Sequence, residues 1–249
     1  AKAVNLDQKP EIIDLNVGAI IVASGFELFD VRKKSEYGYG RCRNILTSLE
    51  FERLLSASGP TSGHLVRLSD GRIPKSIAFI QCIGSRSQKD SPYCSSVCCM
   101  YATKEAILIR EHNPECEVYI FHMDLKVFGK GFQEFLNRAK KDWNVKYIEG
   151  HPSRIEEDPD TKELFIRYED VSEGKVKSVM VDLIVLCPSL IPRRSKEKLA
   201  KILNIEVDEN GFFKSKDPLF SPIDTNVPGI FICGYCQGPK DIPESVAQA

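Results

Sequence analysis

Ser76-Ile-Ala-Phe-Ile-Gln-Cys82-Ile-Gly-Ser-Arg86, followed by Tyr93-Cys94-Ser-Ser-Val-Cys98-Cys99-Met-Tyr-Ala-Thr-Lys-Glu-Ala106, is the stretch on which the reading of this chain turns. Ser76 to Gln81 is an apolar run of strand length, and Ser95 to Glu111 has the length of a helix. Four of the nine cysteines, Cys82, Cys94, Cys98 and Cys99, fall in the 18 residues from 82 to 99. Cys94 and Cys98 are four apart, so a helix running from Ser95 sets them on one face of its first turn. Cys99 lies beside them, and Cys82 arrives from the C-terminal end of the strand, where parallel sheets place their functional groups. Thiolates that converge in this way make a zinc or an iron–sulfur site. The helix N-terminus adds a positive dipole end that favours them. Any one cysteine reads first as a small buried apolar residue, which is the reading for Cys42, Cys116, Cys187 and Cys233. Adjacent Cys98-Cys99 departs from the C-x2-4-C knuckle of structural zinc. Iron–sulfur is therefore favoured, with a zinc-stapled structural or assembly domain as the competing reading.

Outward from this unit the strand and helix pattern continues. Glu117 to Phe121 and Val145 to Ile148 read as strands. Between them Gly129 to Trp143 reads as a helix with Phe132, Phe135, Leu136, Ala139 and Trp143 on one face. Val17 to Phe26 reads as one buried strand and a small-residue turn, and residues 46–57 as a helix that ends before Gly59-Pro60. Glu163 to Tyr168 and Lys175 to Val181 form an antiparallel hairpin across Asp170-Val-Ser-Glu-Gly174. Asp182 to Cys187 is a buried strand ended by Pro188 and Pro192; a helix from Ser195 to Leu203 and a last buried strand, Val227 to Gly234, follow. The expected class is α/β, a Rossmann-like domain with a parallel sheet and a small antiparallel hairpin.

Composition bounds the function. With 249 residues, 42% hydrophobic and 28% charged, the chain can bury one large core or two smaller ones. A formal net charge of -1 gives no electrostatic case for nucleic acid or an anionic membrane surface. No apolar run reaches the length of a membrane span, and no secretory signal opens the chain. Nine cysteines in such a chain read as ligands and thiols rather than as a disulfide framework, which implies a reducing, cytoplasmic setting. His64, His112, His122 and His151 have no triad spacing and read as polar surface residues. Lys33-Lys34 and Arg193-Arg194 read as solvated charge. The opening Ala-Lys-Ala and the final Ser245-Val-Ala-Gln-Ala249, which looks like the first turn of an unfinished helix, suggest a piece of a longer polypeptide.

The cysteine run, together with Phe128-Gly-Lys-Gly131 and Gly234-Tyr-Cys-Gln-Gly-Pro-Lys-Asp-Ile-Pro-Glu-Ser245, closely resembles the flavin-containing A subunit of heterodisulfide reductase; related subunits of quinone-interacting complexes share the pattern. The resemblance spans Val17 to Ala249 and implies a thioredoxin-reductase-like fold in which an FAD-binding domain is split around the Rossmann-like one. It implies part of the FAD-binding domain in residues 1–30, a connecting segment with a helix in 31–75, the cluster-bearing domain in 76–190 and a return to the FAD-binding domain in 191–249. It implies a [4Fe-4S] cluster on Cys82, Cys94, Cys98 and Cys99. Flavin contacts are implied at Ala23, Ser24 and Gly25, and at Gly234, Tyr235, Gly238, Pro239, Lys240 and Asp241. Cys236 sits in the same loop. Such subunits pass electrons among FAD and several clusters, and in methanogens bifurcate them between ferredoxin and the heterodisulfide of coenzymes M and B. Partners implied are the other subunits of such a complex and ferredoxin or hydrogenase-type electron partners.

The departures carry expectations of their own. The family's Gly-rich FAD turn and its C-x2-C-x2-C ferredoxin segments are not in this sequence, so these residues alone are expected to bind FAD weakly or not at all. Gly234-Tyr235 stands where flavoproteins of this fold commonly have Gly-Asp. The turn after Gln81 has one glycine where a pyridine nucleotide cradle has three, so no NAD(P)H site is expected.

Overall fold

Side chains that alternate between two faces of β-strands build the centre of the molecule, which the computed structural model describes for residues 5–249. In chain order the strands and helices are β1 (Ile20–Val22), β2 (Phe26–Leu28), β3 (Ile45–Thr47), α1 (Ser48–Leu55), β4 (Ser76–Ile83) and α2 (Cys98–His112). They continue as β5 (Glu117–His122), α3 (Phe132–Lys141), β6 (Lys146–Glu149), β7 (Pro152–Glu157), β8 (Leu164–Asp170) and β9 (Lys175–Val181). β10 (Leu183–Pro188), β11 (Leu190–Pro192), α4 (Lys196–Leu203), β12 (Ile230–Ile232) and α5 (Ile242–Gln248) complete the chain.

Five strands in the order β3-β10-β4-β5-β6 make one sheet, every neighbouring pair parallel. Along central β4, Ile77 and Phe79 point to one side, where they meet Phe51 of α1 and Ala102, Ala106 and Ile109 of α2. Ala78 and Ile80 point to the other, against Ile155, Leu164 and Ile166 of the antiparallel sheet β7-β8-β9. Helices thus cover one face of the parallel sheet and a second sheet covers the other. Each buried Ile or Phe in these layers contributes roughly 1.5–3 kcal/mol relative to exposure.

The α/β class and the hairpin are as expected, and the differences have local causes. The hairpin gains a third strand, β7, whose pairing slips between Pro152 and Arg154 and so breaks the period of two in the sequence. The stretch 46–57 is not one helix: Leu46 lies in β3, and α1 starts behind a capping box in which the Glu50 N–H donates to Thr47 Oγ1. Residues 31–75 carry that helix and also give the parallel sheet its edge strand. Val17 to Phe26 is not a strand buried on both faces. β1 pairs with β12 alone, and Ile20 and Ile21 are exposed. The last strand shrinks likewise to Ile230–Ile232. Past Pro188 the chain does not stop pairing, because β11 runs antiparallel to β2.

Candidate cluster and flavin site

Cys82 sits near the end of β4 in a left-handed backbone conformation (φ 62°), as do Arg86 (φ 57°) and Ser96 (φ 66°) in the loop that follows. Side chains other than glycine pay for that conformation, so the loop is shaped by what its groups face. The Ser96 N–H donates to Cys94 Sγ (3.3 Å) and the Lys126 N–H donates to Cys99 Sγ (3.4 Å). α2 begins at Cys98, not at Ser95, with Val97 as N-cap and no side-chain hydrogen bond. Cys98 and Cys99 therefore occupy the first turn, while Cys94 approaches from the loop before it. Gln81 Nε2 donates to the Cys98 carbonyl (3.3 Å), tying the helix start to β4.

The four cysteines lie within one another's field. Burial, reinforced by Cys99 and Cys94, pushes the Cys82 thiol up to about 11, with the Arg86 guanidinium opposing. Burial pushes Cys98 up to about 12, and Cys82, Cys99 and Cys94 add to it. Cys99 is raised by burial, against the Lys126 N–H that lowers it. Ionising such a group without a compensating cation sets like charges together in a poorly solvated place. A donor set of sulfur alone is soft, and it fits iron–sulfur or zinc. Among the described residues no three His, Cys, Asp or Glu side chains are grouped closely enough to hold a single metal ion.

Beside the cysteines opens a cavity of about 690 Å³, within the range of cofactor sites. Ser96, Val97 and Met100, neighbours of the cysteines, form part of its wall. Of the nine residues expected at a flavin, Tyr235, Lys240 and Asp241 line this cavity; Ala23, Ser24, Gly25, Gly234, Gly238 and Pro239 lie outside its wall. The Tyr235 hydroxyl reaches the carbonyls of Ser95 (3.3 Å) and Leu190 (3.4 Å), which links the loop after β12 to the cysteine loop. Lys240 Nζ donates to Gln237 Oε1 (2.7 Å) and Gln248 Oε1 (3.0 Å), and burial lowers its pKa. The Asp241 carboxylate caps α5 by accepting the Glu244 N–H (2.8 Å). Cys236 Sγ donates to the carbonyls of Val22 (3.2 Å) and Cys233 (3.1 Å).

Sequence reasoning missed the polar wall that α1 and α2 give the cavity: Glu52, Lys104 and Glu105. Lys104 pairs with Glu52 across the two helices. These residues are half a domain apart in sequence, and each alone reads as an ordinary polar helix position. Gly84, which reads as the remnant of a nucleotide turn, has another use. It has φ +70°, and a Cβ there would stand 2.5 Å from the Phe29 ring.

No family model matches the chain. Over all of its length it is 50% identical to the iron-sulfur A subunit (number 2) of the CoB--CoM heterodisulfide reductase of Methanopyrus kandleri, of which it covers 38%. The chain is homologous to a segment of the heterodisulfide reductase A subunits. It is also 49% identical, over 250 aligned residues that cover 38% of the relative, to the A subunit of the H(2)/formate:CoB-CoM heterodisulfide,ferredoxin reductase of Methanococcus maripaludis. The chain thus spans under two-fifths of the length of these relatives. In fold it is similar to the thioredoxin reductase of T. acidophilum, with a TM-score of 0.56 at 17% identity over 92% of this chain and 62% of that one. Among the described residues no helix is long and apolar enough to cross a membrane.

Proposed function

We propose that this chain is the electron-relay segment of a flavin and iron–sulfur oxidoreductase subunit, with a [4Fe-4S] cluster on Cys82, Cys94, Cys98 and Cys99 and the flavin of FAD in the adjoining cavity. The observation that carries the reading is adjacency: the loop that presents the thiols is also a wall of the cavity. When bound, the two groups supply one-electron and two-electron chemistry respectively. The chain's own residues do the rest. The Ser96 and Lys126 N–H groups and the Arg86 guanidinium stabilise negative sulfur. Tyr235 holds the cysteine loop against the cavity, and Lys240 presents a positive charge that favours anionic reduced flavin. A tetrahedral zinc ion draws its sulfurs to within about 4 Å of one another. Adjacent Cys98-Cys99 departs from the spaced cysteine pairs of structural zinc, which supports the cluster reading.

Residues 1–30 and 191–249 then belong to the two parts of a split FAD-binding domain, joined by the β1–β12 pairing. The Phe29 ring packed on Gly84 supports the expectation that no pyridine nucleotide binds at the turn after β4. The subunit works in the cytoplasm with the other subunits of a heterodisulfide-reductase-like complex and with ferredoxin or hydrogenase-type electron partners, and passes electrons toward disulfide reduction. The test is anaerobic reduction of the full-length subunit by reduced ferredoxin. Cys98→Ala should retain FAD and slow its reduction by at least about tenfold, a rise of about 1.4 kcal/mol in the barrier. Full FAD content with an unchanged rate, or a full-length subunit that binds no FAD, contradicts the proposal.

A further inference from the structure

Glu105, one turn beyond Tyr101 on α2, places a carboxyl group inside the protein. It is 2% exposed, lines the cavity, and its Oε2 has no hydrogen-bond partner. A buried carboxyl keeps its proton where the charged form loses more hydration than its neighbours return. The titratable groups that face it are Glu52 from α1, Lys104 from its own helix and the buried thiol of Cys187 from β10. Burial pushes Glu105 up to about 9, a side-chain hydrogen bond with Glu52 and the Glu52 charge add to the shift, and Lys104 opposes it. Exposure grades outward: the Glu52 side chain is 48% accessible and the Lys104 side chain with which it pairs is 40% accessible.

We propose that Glu105 is a proton store for the cavity, refilled from solvent through Glu52. The reaction step rests on the flavin reading above. A cluster held by the four cysteines would supply electrons singly, with reduced ferredoxin re-reducing it between two transfers, and a flavin in the cavity would take up both. The O–H bond of Glu105 would break as its proton formed an N–H bond on the doubly reduced ring. The carboxylate left behind is balanced by Lys104 until a proton that enters at Glu52 restores the acid.

Infrared spectra of the full-length subunit, recorded as a difference between pH values, test the store directly. Glu105→Gln is the uncharged isostere. The wild type should show a carboxylic acid C=O band that titrates near 9, and the variant should lack it. The linkage has a definite sign. The folded state holds a proton that the unfolded state releases above its ordinary carboxyl value of 4.5, so stability falls as pH rises from about 4.5 to about 9. The melting temperature of Glu105→Gln should therefore exceed that of the wild type by a margin that widens across this window. Flavin reduction by reduced ferredoxin should slow by about 100-fold in the variant, the usual weight of a placed proton donor. An absent band with coincident melting curves overturns the inference, and so does an unchanged reduction rate in a subunit with full FAD content. A subunit without FAD contradicts the flavin reading instead, and the infrared band still decides whether Glu105 holds its proton.

Discussion

At the scale of single residues, Gly84 shows how a motif position can be legible while its purpose is not. The sequence marks a glycine after a strand, which suits a phosphate turn, and only the packed structure shows the Phe29 ring lying where a Cβ would be. Gly84→Ala adds a methyl in a left-handed conformation and displaces that ring, so it should cost about 2–4 kcal/mol. The midpoint of urea unfolding measures this, and an unshifted midpoint would show that Phe29 moves freely. The cysteines are legible for the opposite reason. They are close in sequence, and the structure keeps Cys98 and Cys99 in the first turn of α2, Cys94 in the loop before it and Cys82 near the end of β4. Glu52, Lys104 and Glu105 meet only through the α1–α2 packing, and no local signal announces a polar wall built from two helices.

At the scale of elements, the start of α2 separates propensity from chemistry. Ser95 to Glu111 has the length of a helix, and the sequence predicts one from Ser95. The helix starts three residues later because Ser96 turns left-handed and aims its N–H at Cys94 Sγ. β2 and β11 are silent in the sequence because three residues between prolines and loops carry no period. The long connection Gly59 to Pro74 has the composition of a surface segment, yet Arg67 within it is buried. Arg67 Nη1 donates to Asp182 Oδ1 (2.7 Å), and Asp182 Oδ2 accepts the N–H groups of Lys75 (2.8 Å) and Ser76 (3.2 Å) at the start of β4. This pair staples the connection to the sheet. Arg67→Ala leaves a carboxylate short of its cation and should destabilise the fold by about 3–5 kcal/mol. Arg67→Lys, which cannot reproduce the fork, should recover only part of the loss. Full stability of the alanine variant in denaturant titration would refute the staple.

At the scale of the whole molecule, the chain joins a complete five-stranded parallel sheet to a sparse second region. That region holds β1 and β12 as a two-stranded pair over a small cluster of Val22, Ile205, Phe213, Ile232 and Cys236. The alternation of strands and helices makes the large sheet readable, whereas the continuous apolar runs at Val17 and Val227 read as strands buried on both faces although Ile20 and Ile21 are exposed here. Those faces are where the proposed FAD-binding domain would add further chain of the subunit. Titration of the 249-residue chain with FAD should give no stoichiometric binding, while the full-length subunit should bind one FAD at this site. Tight equimolar binding by the shorter chain would place the whole flavin contact within it. The central claim, that four cysteines beside the cavity hold an iron–sulfur cluster, is met most directly by anaerobic reconstitution of this chain followed by iron and acid-labile sulfide analysis. About four irons and about four sulfides per chain, lost in Cys98→Ala and kept in Cys116→Ala, is the result predicted; iron content that does not depend on Cys98, or one zinc in place of iron, would contradict it.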